Sequence, residues 1–281
     1  MMGIVENILN MKERFVAKLS SANIFDNFFM RVVLENKEVC QYVLGKLLKK
    51  PDITVIECKT EYQVSKLFGK DSRLDVLATD STGKIFNIEI QKAKEESHEL
   101  RTRYYHSAVD SEILRKGNEY SELPPVYVIY ISKNDIWGKG SAVYTVEKLL
   151  KYHDKTDNYD DKQYTLYVNA EVKDTAEQEI SALMEYFKTC KPDDSSQGAL
   201  SEYVHYLKTD EKGTDIMYDE FEKEFKEDVQ KRTKAEDIVK IMLDFKVSFE
   251  RALKTLGIPQ EDYNDYAELI QHFYPDVMKP Q

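Results

Sequence analysis

Two segments of this chain carry acids where strand patterning leaves them facing one another. In residues 73–80, Leu74, Val76 and Ala78 fall on one face, and Asp75 shares the other with Leu77. In residues 84–91, Phe86, Ile88 and Ile90 fall on one face, leaving Asn87, Glu89 and Gln91 on the other. Ser81-Thr82-Gly83 between them is a hairpin signal. If Asp80 and Lys84 close that loop, opposed residues have numbers summing to 164. Asp75 then lies opposite Glu89, with Cβ atoms about 4.5–5.5 Å apart. A wider loop or a bulge would shift the register and separate them. Like charges so placed are destabilising unless one is protonated or a cation lies between them. Hard carboxylate oxygens suit Mg²⁺, which takes few carboxylates and keeps waters. Gln91, two residues along the same face, is placed to orient one of those waters.

The elements that must position these residues follow from periodicity. Residues 24–50 have helical spacing at Phe25, Phe28, Phe29, Val32, Val33, Val39, Val43 and Leu47, stopped by Lys49-Lys50-Pro51. Residues 52–63 predict a strand, and 95–116 a helix ended by Gly117. The stripe Leu100, Tyr104, Ser107, Ser111, Leu114 is small in the middle and would let that helix pack close to a sheet. Six consecutive apolar residues, 126–131, follow Pro124-Pro125 and suggest a strand buried on both faces. Residues 133–162 predict an irregular surface insertion, and 164–168 a last strand. Beyond about residue 175 only helical patterns occur: a charged, solvated arm over 214–246, then a helical pair around Gly257 over 247–275. The expected fold is α/β, a central sheet covered by helices on both faces with an all-helical C-terminal extension. Its expected parts are 1–170, 171–246 and 247–281.

Composition narrows the function. With 281 residues, 42% hydrophobic, the chain can bury a substantial core. No stretch approaches about 18 consecutive apolar residues, which excludes a transmembrane helix by sequence. Residues 1–19 mix Glu6, Lys12, Glu13 and Arg14 into their apolar positions, so a cytoplasmic location is expected. Three scattered cysteines make neither a disulfide framework nor a Cys-rich zinc site. Residues 1–170 hold 25 Lys+Arg and 25 Asp+Glu, and residues 171–281 hold 15 and 26, the whole of the net −11. A non-specific DNA coat needs clustered cations, so any anionic substrate belongs to the electroneutral first part.

Other chemistry finds less support. His98 and His106 are too far apart for joint ligation, and His153, His205 and His272 lack partners at metal-ligand spacing. Gly138-Lys-Gly140 is a lone turn signal, without a P-loop or dinucleotide fingerprint. The helix over 260–271 carries Glu261, Asp262, Asp265 and Glu268 and no Lys or Arg. It would repel DNA, so the C-terminal pair is read as a protein-contact surface, with homodimerisation as its expected use.

Lys70-Asp-Ser-Arg-Leu-Asp75, the hairpin, and Asn87-Ile-Glu-Ile-Gln91 resemble the PD-(D/E)XK nucleases, in the branch called PD-(D/E)XK nuclease family transposase. The resemblance extends to Arg101 followed by Tyr104-Tyr105, to Lys116-Gly-Asn-Glu-Tyr120 and to the strand at 124–131, and covers about residues 20–210. It implies a restriction-endonuclease-like core and Mg²⁺-dependent hydrolysis of DNA phosphodiesters, Mn²⁺ being the other cation expected to serve. Asp75 and Glu89 match the two metal-binding acids. Gln91 falls where the general pattern has Lys, as is usual in this branch, and Asp26 matches an acid of the first helix. Arg101 and Arg103, on the helix after the hairpin, are read as contacts to flanking phosphates, surface solvation being the competing reading for each. The rival to an endonuclease is a nuclease-fold protein that cleaves weakly or not at all and acts as a DNA- or protein-binding module. The missing Lys and the net acidity motivate it.

Overall fold

The computed structural model describes residues 2–64, 72–93, 97–114, 116–275 and 277. Lys70 and Asp71 of the motif, and Glu95 and Glu96 at the expected helix start, lie outside them. The chain forms two compact units that divide after Tyr218. Composition and charge place breaks at 170 and 246 instead.

In the first unit, helices α1 (Met2–Ser21), α2 (Asn27–Glu35) and α3 (Lys37–Leu47) precede three strands, β1 (Val55–Val64), β2 (Ser72–Asp80) and β3 (Ile85–Gln91). The single helix expected over 24–50 is two. Asn36 is extended, at φ −68° and ψ 119°, and its side chain accepts from the amides of Glu38 and Val39. It thereby ends α2 and caps α3, a local preference that apolar spacing does not register. Helix α4 (His98–Ile113) crosses over to β4 (Val126–Ser132), which runs parallel to β3 and to β8 (Gln163–Asn169). Val126, Val128, Ile129, Tyr130 and Ile131 of β4 are fully buried, as a strand between two parallel neighbours requires.

The sheet runs β1-β2-β3-β4-β8-β5. Its last member, β5 (Val143–Val146), corrects the expectation of an irregular insertion: it pairs antiparallel with the free edge of β8, a long-range partner that no local pattern announces. The rest of that insertion includes a separate hairpin, β6 (Leu149–Tyr152) and β7 (Lys155–Asn158), exposed along its length.

Helix α4 packs a different stripe from the expected one. Leu100 is 54% exposed, whereas Tyr105, Ala108 and Val109 are buried against Val126, Val128 and neighbouring sheet residues, and Thr102 and His106 are buried too. This buried face is partly polar and finds partners across the interface: Thr102 Oγ1 lies 2.9 Å from the Tyr167 hydroxyl and His106 Nε2 2.9 Å from Thr165 Oγ1. Apolar counting therefore points to the wrong side.

Helices α5 (Gln178–Thr189) and α6 (Gly198–Thr209) pack on α3, and the Ile24 amide donates to the Phe187 carbonyl at 3.1 Å. Helix α7 (Glu211–Phe245) runs through the division between the units. Near its start, a Cβ on Gly213 would stand 2.1 Å from the Tyr206 carbonyl oxygen, so only glycine allows this approach. In the second unit Ala235, Ile238 and Val239 of α7 form a core with α8 (Phe249–Thr255) and α9 (Tyr263–Phe273), joined through Gly257 at φ +66°. Among the described residues, no helix is long and apolar enough to cross a membrane.

Candidate active site

The hairpin that sets the acids has the expected register. Thr79 pairs with Ile85 and Val76 with Ile88. The loop is locked by Asp80, whose Oδ1 accepts from the amides of Thr82 (2.8 Å) and Lys84 (3.0 Å) and from the Thr82 hydroxyl (2.7 Å), while Gly83 adopts φ +82°.

Where this ladder stops, the two acids take over. Asp75 Oδ2 accepts the Ile90 amide at 2.8 Å, and Glu89 Oε1 faces the Asp75 amide at 3.4 Å, a long contact. Each carboxylate thus reaches the other strand's backbone at the point where β2 and β3 part. Glu89 is completely buried, and its carboxylate is approached by the Tyr105 hydroxyl and the Asn87 side chain. Asn87, two residues earlier, is also fully buried.

The electrostatics follow from this geometry. Burial, reinforced by the Asp75 charge, pushes Glu89 up to about 8; Tyr105, Asn87 and Arg101 pull the other way. Burial also raises Asp75, against the Ile90 amide and the Arg101 and Arg73 charges. The pair therefore holds a proton at neutral pH, the first of the two ways in which such a juxtaposition becomes tolerable.

Helix α4 supplies the lid of the site. Arg101 Nε donates to the Tyr105 hydroxyl at 2.5 Å, with its guanidinium 5.6 Å from that ring. Arg103 is two residues on, about 200° round the helix, and exposed. The structure thus brings Asp75, Glu89 and Arg101 together, with Gln91 half-buried beyond Glu89 at the end of β3, and leaves Arg103 on the solvent side. Asp26 is elsewhere engaged: it accepts from Lys92 Nζ at 3.0 Å and from the Asn23 amide at 3.2 Å. In the sequence Tyr105 stands out only beside Tyr104 in the family resemblance, and Glu61 carries no signal. The i, i+4 spacing of Arg101 and Tyr105 was the available signal for the first.

The model of the family described as PD-(D/E)XK nuclease family transposase matches residues 25–250. The chain belongs to this family. No curated protein and no solved structure matched it. The six-stranded mixed sheet flanked by helices agrees with the restriction-endonuclease-like fold of the family, whose membership supports a nuclease- or transposase-like role.

The residues present fit the divalent metal that the family generally uses. The Glu89 carboxylate is completely buried beside that of Asp75, a juxtaposition that a proton or a cation must satisfy, and the donor atoms of the pair are hard oxygens. Among the described residues no group of three His, Cys, Asp or Glu side chains gathers for a metal. Two carboxylates would share such an ion with water.

Proposed function

We propose that this protein is a Mg²⁺-dependent DNA endonuclease, with Mn²⁺ able to replace Mg²⁺. The observation that carries the reading is the completely buried Glu89 carboxylate beside that of Asp75 at the fork of β2 and β3. Asp75 and Glu89 would hold the ion. When bound, it supplies a Lewis acid that acidifies water and offsets charge on the phosphate. Glu89 would release its proton to solvent in order to hold the ion, and Arg101 fixes the Tyr105 hydroxyl beside it. The Gln91 amide can orient a water but cannot take its proton, which leaves that task to the carboxylate pair.

Purified protein should nick or linearise plasmid DNA with Mg²⁺ or Mn²⁺. Asp75→Ala should abolish this, and so should Asp75→Asn, which keeps an acceptor for the Ile90 amide. Activity retained in a folded Asp75→Asn protein removes the assignment. The second reading, a nuclease-fold binding module, is favoured by Gln91 standing where an ammonium would stabilise charge. Calorimetry separates the two: absence of Mg²⁺ or Mn²⁺ binding favours the module. A role in recombination or mobile-element biology, and dimerisation through the C-terminal helices, belong to the same proposal.

A further inference from the structure

Glu61 lies in the middle of β1, between ladder pairs Thr60–Val76 and Tyr62–Leu74, and so comes level with Asp75. It adopts φ +50°, an unusual conformation for a non-glycine residue within a strand. Its carboxylate is clasped by two guanidiniums, Arg31 Nη1 at 2.7 Å and Arg73 Nη1 at 3.3 Å. The Arg31 side chain is 7% exposed, that of Glu61 24% and that of Arg73 58%. Two guanidiniums flank this carboxylate, and the one that faces solvent is Arg73. It precedes Asp75 by two residues on β2, and its charge is felt at the Asp75 carboxyl.

We propose that Arg73 binds a phosphate of the nucleic-acid backbone next to the Asp75–Glu89 pair, oriented by the Arg31–Glu61 anchor; this rests on the endonuclease reading. Glu89 is completely buried, so a substrate approaches the pair from the β2 side, where Asp75 is half-buried and Arg73 is exposed. A solvated arginine samples many rotamers. One held at its fork by a part-buried carboxylate, itself held by a buried guanidinium, is pre-organised for bidentate phosphate contact. The strained backbone at Glu61 is what carries its carboxylate between the two arginines, and such strain persists where surrounding structure enforces it. A phosphodiester needs a local cation, and residues 1–170, which hold the pair, are electroneutral rather than acidic.

The test measures binding of a fluorescein-labelled DNA duplex to the full-length protein by anisotropy, in Ca²⁺ and across a series of KCl concentrations. Arg73→Gln should reduce the slope of log K against log[KCl] by about one and weaken binding about tenfold at 0.1 M salt. Arg73→Lys should restore the slope. Glu61→Gln should weaken binding while keeping the slope, since the charge stays but loses its orientation. An unchanged slope in Arg73→Gln, or a wild-type protein that does not bind the duplex, overturns the proposal. The two readings fail separately. Plasmid cleavage by wild type with an unchanged Arg73→Gln slope removes the phosphate contact alone. An Arg73-dependent slope without cleavage keeps the contact and removes the hydrolytic reading.

Discussion

Replacing Glu89 with Gln isolates the cost of the buried acid. Glu89 is pushed from 4.5 up to about 8 in the folded protein, chiefly by burial and then by Asp75. The native state therefore binds its proton more tightly than the unfolded chain does. Below pH 4.5 both states are protonated and the group is silent. As pH rises from 4.5 to 8 the unfolded chain releases the proton first, so stability falls, and above 8 the loss is complete. The upward shift is worth about 4 kcal/mol between pH 5 and 9 at 1.36 kcal/mol per pH unit. Gln mimics the protonated acid and has no such dependence. Urea unfolding of both proteins in EDTA, at each pH from 5 to 9, gives the difference directly. Trp137, the only tryptophan, reports on the first unit: its ring lies 4.6 Å from that of His98 and 5.5 Å from that of Tyr167. The stability of wild type minus that of Glu89→Gln should fall steadily through this window. A flat difference would show that Glu89 is ionised and compensated in the native state, and the reasoning about a shared proton would be wrong.

Three further outcomes are expected. His106 is pushed down to about 4 by burial, so its stability contribution is lost as pH falls from 6.5 towards 4; His106→Gln should flatten that acid limb by about 3 kcal/mol in the same urea titration. Gly213→Ala should destabilise the first unit by about 3 kcal/mol, the upper end for overpacking, because its Cβ meets the Tyr206 backbone; a thermal transition within a degree of wild type would refute this. Ile129→Ala, at a fully buried position of the central strand, should cost about 2–5 kcal/mol by urea unfolding, whereas Leu150→Ser on the exposed hairpin should change stability by less than about 0.5 kcal/mol.

Much of the site was legible because its geometry is local. Three loop residues, Gly83 at their end, fix the register of β2 against β3, and a period of two then puts Asp75 level with Glu89. The buried β4 was equally legible from its continuous apolar run. Misreadings arose where partners are distant or polar. The α4 stripe was displaced because Thr102 and His106 are buried by hydrogen bonds to β8, and hydrophobic counting assigns such residues to solvent. Strand β5 was missed because its four residues become a strand only against the edge of β8.

The sequence by itself determined that two acids share one point of a hairpin, since turn length and strand alternation act within twenty residues. Tertiary structure alone decided what that point is like. Burial of Glu89, the Arg101–Tyr105 contact above it and the Arg31–Glu61–Arg73 clasp beside it bring together residues from α2, α4 and β1 to β3. Desolvation and charge pairing depend on what packs around a group, and that is set by the whole sheet and its helices rather than by neighbours in the chain.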